Sequence, residues 1–200
     1  MKLIIMLFLF LISIHCASTE IWVISDTHFY GPQSMNKSLL QDKFDVSLGD
    51  IFDAKNTLKA NMLKMREDQN YFSDFCEKNN IPEIQGNHDK KEGILFYVWG
   101  DVLFTHGHYV SWDSKKIEKE ERKEAKGISK IKFNSKKIIF DSHPTTKLSE
   151  EEIAKAASLA KKYNCRTIVF GHTHVKSLID IEYDGVRVIN VPRGITQLNL

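Results

Sequence analysis

Five short segments place histidine, aspartate or asparagine directly after an apolar run. They are Asp26-Thr27-His28, Gly49-Asp50, Gly86-Asn87-His88-Asp89, His106-Gly107-His108 and Gly171-His172-Thr173-His174. Taken together, Asp26, His28, Asp50, Asn87, His106, His172 and His174 offer two carboxylates, four imidazoles and one amide oxygen. Mixed nitrogen and oxygen donors without a thiolate disfavour a structural zinc knot and favour Mn, Fe or Zn in a reactive site. Seven protein ligands are too many for a single catalytic ion with an open position. Two ions about 3.5–4 Å apart, sharing one carboxylate, would use them all. The two residues flanking Thr27, and the two flanking Thr173, would point the same way along an extended segment and so reach one centre. The bland reading leaves buried carboxylates and imidazoles in five separate segments without compensation, which is costly.

Strands must deliver these residues. Ile21-Trp22-Val23-Ile24 reads as a buried first strand and Phe44 to Leu48 as a second, with a brief strand at Glu83 to Gln85. Ile94 to Trp99 and Val102 to Thr105 flank Gly100-Asp101 as a hairpin that delivers His106. Ile138 to Phe140 and Thr167 to Phe170 are further strands, the latter leading into His172. Leu178 to Tyr183 and Val186 to Val191 flank Asp184-Gly185, a type I′ hairpin signal. A helical turn is expected at Ser38 to Gln41. From about Thr57 to Asn79, Leu58, Met62, Met65, Phe72 and Phe75 recur at helical spacing. Ser149 with Glu152 forms a capping box for a helix to about Tyr163, with Ile153, Ala156, Ala157, Ala160 and Tyr163 facing inward. The alternation of strands and helices, with hairpins interspersed, indicates an α/β layered domain with a mixed sheet.

Two hundred residues, 42% of them apolar, suffice for one domain with a real core. The balance of 28 basic and 26 acidic residues, +2 overall, argues against a whole-protein nucleic-acid binder. Lys2, the apolar run Leu3 to Ile12 and the small or polar residues Ser13 to Ser18 have the layout of a signal peptide. Residues 1–18 are therefore expected to be a signal peptide or a membrane-associating leader, and residues 19–200 a single domain. That leader implies a secreted, periplasmic or membrane-associated protein; a cytoplasmic chain with an added extension is the alternative. Cys76 and Cys165 read as small buried apolar residues rather than a bridge, and no CxxC is present. Residues 111–137 carry ten basic and five acidic side chains and little apolar surface. This charged insertion reads as a solvated excursion, or alternatively as a basic lid that attracts an anionic substrate or lipid surface.

The five ordered blocks resemble the pattern of calcineurin-like metallophosphoesterases: D-x-H, G-D, G-N-H-[DE], a histidine after a strand, and G-H-x-H. The resemblance spans residues 21 to about 194. It implies a fold of two packed mixed β-sheets flanked by helices, a four-layer sandwich. It implies two divalent ions, Mn first with Fe, Zn, Ni or Co as alternatives. Asp26, His28 and His174 would bind one, Asn87, His106 and His172 the other, and Asp50 both. The implied activity is phosphodiester or phosphomonoester hydrolysis by a metal-activated hydroxide, with His88 donating a proton to the leaving group and Asp89 orienting its ring.

Asp53 is equally placed to support that centre or to start a helix facing solvent. His108 could touch substrate or pack beside it, His143 reads as a loop residue, and His15 belongs to the leader. Many relatives carry Asn-Pro-Gly-Ser after the last hairpin. Here Asn190-Val191-Pro192-Arg193-Gly194 stands instead, so Arg193 could serve as a cation on the phosphate side. The expected substrate is a small or medium phosphoester. Pyrophosphohydrolysis of a nucleotide-sugar lipid is one alternative, and the charged insertion is reminiscent of lipid A pathway enzymes. Nuclease action is disfavoured by the lack of interleaved aromatics. A non-catalytic metal-binding interaction module is the alternative from outside the enzymes.

Overall fold

β1 (Glu20–Ser25) is central to a three-stranded sheet, in the order β2-β1-β8, with β2 (Val46–Ser47) parallel and β8 (Gly194–Asn199) antiparallel to it. The larger sheet has the order β3-β4-β5-β7-β6. It consists of β3 (Phe96–Trp99), β4 (Val102–Thr105), β5 (Thr167–Phe170), β6 (Ile179–Tyr183) and β7 (Val186–Asn190). β4, β5 and β7 run parallel, and the hairpin partners β3 and β6 close the two edges antiparallel. The computed structural model describes residues 19–29, 35, 40, 43–53, 57, 61–89, 94–112, 115 and 147–200. The leader, nearly all of the charged insertion, the strand expected at Ile138 to Phe140, most of the turn expected at Ser38 to Gln41, and His143 lie outside the described residues.

Period-two alternation decides the layering. Ile21 and Val23 of β1 turn toward Phe104 of β4, Val169 of β5 and Ile189 of β7, and Val46, Ile84 and Leu198 complete this core between the sheets. The intervening residues face outward under helices. Leu103, Ile168, Phe170 and Val188 pack on Ala156, Ala157 and Ala160 of the helix Glu150–Lys162. Ile24, Phe44, Ile51 and Phe52 pack on Met65, Phe72 and Cys76 of α1 (Met62–Lys78). Helix, sheet, sheet and helix therefore make the four-layer sandwich, with both sheets mixed.

Local signals explain the helices. Ser149 Oγ accepts from Glu152 N while the Glu152 carboxylate accepts from Ser149 N, so two orphan donors are satisfied at the start of Glu150–Lys162. Three alanines on its inward face let it lie close to the sheet. α1 starts at Met62, its N-cap Asn61 makes no side-chain capping bond, and residues 58–60, where the periodicity begins, lie outside the described residues. Two elements escape the sequence reading. β8 pairs with all six residues of β1, and a four-residue helix α2 (His108–Ser111) follows Gly107. The helix Glu150–Lys162 is thus α3. Among the described residues no helix is long and apolar enough to cross a membrane. Cys76 and Cys165 are both buried and free, as expected of small apolar residues.

Candidate metal centre

The site forms beyond the carboxyl ends of β1, β2, β4 and β5, where loops leave both sheets on the same side. Asp26, His28, Asp50, His172 and His174 all have positive φ, between 49° and 69°. The segments around Thr27 and Thr173 are therefore not extended. This corrects the expectation that alternation aims each pair at one centre: left-handed residues turn the chain, and His172 and His174 join different clusters. Such backbone costs on the order of 1–3 kcal/mol per residue and persists only where the surroundings over-determine it. Here Asp26 N donates to Gly49 O at 3.1 Å, His28 N to Asp50 O at 3.0 Å and Phe29 N to Ile51 O at 2.9 Å.

The first cluster is Asp26, His28 and His174. Their ligand atoms converge, with His28 Nε2 3.0 Å from His174 Nε2, and Asp26 Oδ1 3.3 Å from His174 Nε2 and 3.7 Å from His28 Nε2. Asp26 Oδ2 is already engaged, accepting from Ser25 Oγ and from His172 N at 2.8 Å. Its other oxygen, Oδ1, is buried without a hydrogen-bond partner. Burial opposes its ionisation, but the His174 and His28 rings outweigh that and hold the carboxyl well below the usual range.

The second cluster is Asp50, Asn87, His106 and His172. His106 Nδ1 lies 2.8 Å from Leu48 O and so carries the proton that this carbonyl accepts. Its Nε2 faces Asn87 Oδ1 and His172 Nδ1, each at 3.1 Å, and Asp50 Oδ2 at 3.2 Å. In a neutral ring that nitrogen presents a lone pair to a carboxylate, an amide oxygen and a second ring nitrogen. Burial disfavours charge on His106, yet the Asp50 carboxylate prevails and raises it to about 9. Burial and the neighbouring His106 lower His172 to about 2, which leaves it neutral. The pocket thus draws positive charge to a point among its donors.

Asp50 links the two. Its Oδ2 is 3.2 Å from His106 Nε2 and 3.9 Å from His28 Nε2, while Oδ1 accepts from His88 N at 2.7 Å. The orphaned Asp26 oxygen and the ring nitrogens, amide oxygen and carboxylate that converge at His106 fit cation binding, and the nitrogen and oxygen donors suit divalent ions. All seven residues expected as ligands are brought into these two adjoining groups.

The expectation for Asp89 is corrected. His88 Nδ1 meets Asp53 Oδ1 at 2.8 Å, and Asp53 Oδ2 lies 3.7 Å from His28 Nδ1. Asp89 Oδ2 instead accepts from Gly86 N and Asp50 N, each at 2.8 Å, and so ties two site loops together. Adjacent in sequence, Asp89 is drawn to these backbone donors, and the ring turns to the carboxylate of another loop. Removal from water and the nearby Asp50 carboxylate push Asp89 up to about 7. His108 packs with its ring against Tyr109, Trp112, His106 and His172. Asn190 takes a role that no motif in the sequence marks. Its Nδ2 donates to Phe170 O at 2.9 Å and Gly171 O at 3.0 Å, and its Oδ1 accepts from Thr173 Oγ1 at 2.6 Å, which fixes the loop bearing His172 and His174. The only hint in sequence is an asparagine ending an apolar strand.

A four-layer sandwich with two adjoining His/Asp clusters at its strand ends defines a class of metal-site scaffold. Residues 19–176 match the family model described as calcineurin-like phosphoesterase, and the chain belongs to that family. A search of the curated proteins found no match. Similar solved structures include a conserved uncharacterized protein, a predicted phosphoesterase, from Streptococcus pneumoniae TIGR4. It is 17% identical, with 92% of this chain and 84% of that chain covered and a TM-score of 0.45. Vps29 from Entamoeba histolytica, complexed with zinc, is 15% identical over 88% of this chain and 74% of its own, with a TM-score of 0.43. A cold-active protein-tyrosine phosphatase from a Shewanella species is 16% identical over 91% and 76%, with a TM-score of 0.45.

Proposed function

We infer that this chain hydrolyses phosphate esters at a dinuclear metal site. The observation that carries the reading is the position of Asp50 Oδ2, which lies between two donor clusters, with His88 held beside it. Asp26, His28 and His174 would hold one ion, Asn87, His106 and His172 the other, and Asp50 would be shared. When bound, the two ions would lower the pKa of a water and neutralise charge on the phosphoryl group. Manganese is the first ion to test.

The chain's own residues do the rest. Asp53 receives the Nδ1 proton of His88, which fixes the ring and leaves Nε2 as the atom that exchanges a proton with the leaving oxygen. His106 Nδ1–H on Leu48 O sets the tautomer that aims Nε2 at the cluster. Asn190 and Asp89 hold the loops in register through backbone groups, so the donors meet without rearrangement.

The test is a panel of metals against aryl phosphate mono- and diesters, nucleotide-sugar pyrophosphates and cyclic nucleotides. Turnover that requires added divalent metal and is lost in His88→Ala, with metal content retained, is the expected result. Two bound ions and no turnover of any ester would replace the hydrolase with a metal-binding interaction module.

A further inference from the structure

Arg193 reaches the site, and the scheme above does not use it. Gly194 pairs with Ser25, the residue before Asp26, so the antiparallel register sets Arg193 beside the first donor cluster. Pro192 fixes φ just before it. The side chain is exposed, and no carboxylate among the described residues pairs with it. Its polar contact is with a ring: Arg193 Nη2 lies 3.1 Å from His174 Nδ1.

That contact fits only one protonation pattern. A guanidinium has donors and no acceptor, so His174 Nδ1 must present a lone pair to it. A metal-ligating histidine ordinarily donates its second N–H to a carboxylate, a carbonyl or water. Were His174 Nε2 to direct its lone pair toward a cation beside Asp26 Oδ1, Nδ1 would carry the proton. Two N–H donors would then face each other at 3.1 Å, and Arg193 must let go. Anchored by β8, its guanidinium would swing over the mouth of the site.

We propose that Arg193 is a specificity residue that leaves His174 when the site is loaded and grips a terminal phosphate, favouring phosphomonoesters over diesters. A guanidinium fork matches a terminal phosphoryl group in a bidentate arrangement. A monoester brings three unesterified oxygens and a charge of about −1.5 to −2, so it can turn a pair of oxygens to the fork while the others face the donor clusters. A diester has one fewer oxygen and less charge. This inference rests on the phosphoester reading, and its test separates the two.

Inorganic phosphate is titrated calorimetrically into the manganese-loaded full chain, as wild type, Arg193→Ala and Arg193→Lys. Phosphate binding is expected to weaken about tenfold in Arg193→Ala, with partial recovery in Arg193→Lys, which restores charge but not the fork. Manganese affinity should not fall in Arg193→Ala, because the lost contact belongs to the unloaded site. With aryl esters, KM for the monoester should rise with kcat little changed, and KM for the diester should move less. Equal phosphate affinity in wild type and Arg193→Ala, no phosphate binding by either, or an equal rise in KM for both esters overturns the proposal. Phosphate binding that depends on Arg193, without turnover of any ester, would support this recognition and defeat the hydrolase reading alone.

Discussion

His88 and Asp53 are 35 positions apart in the chain and 2.8 Å apart in space. A carboxylate on Nδ1 decides which ring nitrogen faces the substrate, so both residues should matter for turnover and neither for loading. His88→Ala is expected to lower kcat by about 10²–10⁴-fold, and Asp53→Asn by a smaller factor, with metal content unchanged in both when read by elemental analysis. A loss of metal in His88→Ala would assign it a ligand's place, which its proximity to His28 and Asp50 makes a fair challenge. The seven donors were legible in the sequence because each follows an apolar run within a residue or a few. The Asp53 partnership was not, because it joins two loops whose meeting depends on tertiary folding, and Asp89, nearer in sequence, was the natural but mistaken choice. The sequence offers Arg193 as a cation on the phosphate side, but its reach to His174 depends on the strand register.

At the scale of elements, the loops approach so closely that glycine becomes a condition of the site. A Cβ on Gly171 would sit 2.0 Å from Ser25 Oγ and 2.3 Å from Asp26 Oδ2, and one on Gly86 would sit 2.0 Å from Asp50 Oδ1. Gly171→Ala must therefore push Asp26 aside. The expected outcome is a loss of about 1–3 kcal/mol of stability by denaturant unfolding, together with weaker binding of one of two metal ions by calorimetry. Retention of full stability and both ions would mean that the backbone yields more easily than the bonds from Gly171 N to His106 O and from His172 N to Asp26 Oδ2 suggest. Helices and hairpins were readable here from local chemistry: the Ser149 capping box and the Asp184-Gly185 turn both lie where expected. β8 was not, since Gly-Ile-Thr-Gln-Leu-Asn alternates weakly and only its pairing with β1 makes it a strand. The left-handed conformations of five site residues also left no mark in composition.

For the whole molecule, two clusters that bring carboxylate and imidazole donors within 4 Å of one another carry an electrostatic cost that metal would relieve. Adding manganese to about 100 times its Kd should stabilise the fold by about 2.7 kcal/mol. For a chain of this size that raises Tm by about 5–10 °C, and a chelator should reverse it. Thermal unfolding with and without metal checks this, and an unchanged Tm would mean that these donors capture no ion. The smaller sheet is closed by sequence-distant partners: Thr19 and Leu200 exchange backbone hydrogen bonds at 2.9 and 3.0 Å, and β1 is zipped to β8 along its length. On the ribosome, Asp26 and His28 emerge well before β8, the partner that steadies their strand. With synthesis running at roughly 5–20 residues per second, the nascent chain spends many seconds with its first strand lacking that neighbour. Any ion capture at Asp26 and His28 would therefore wait until residues 194–199 have cleared the exit tunnel.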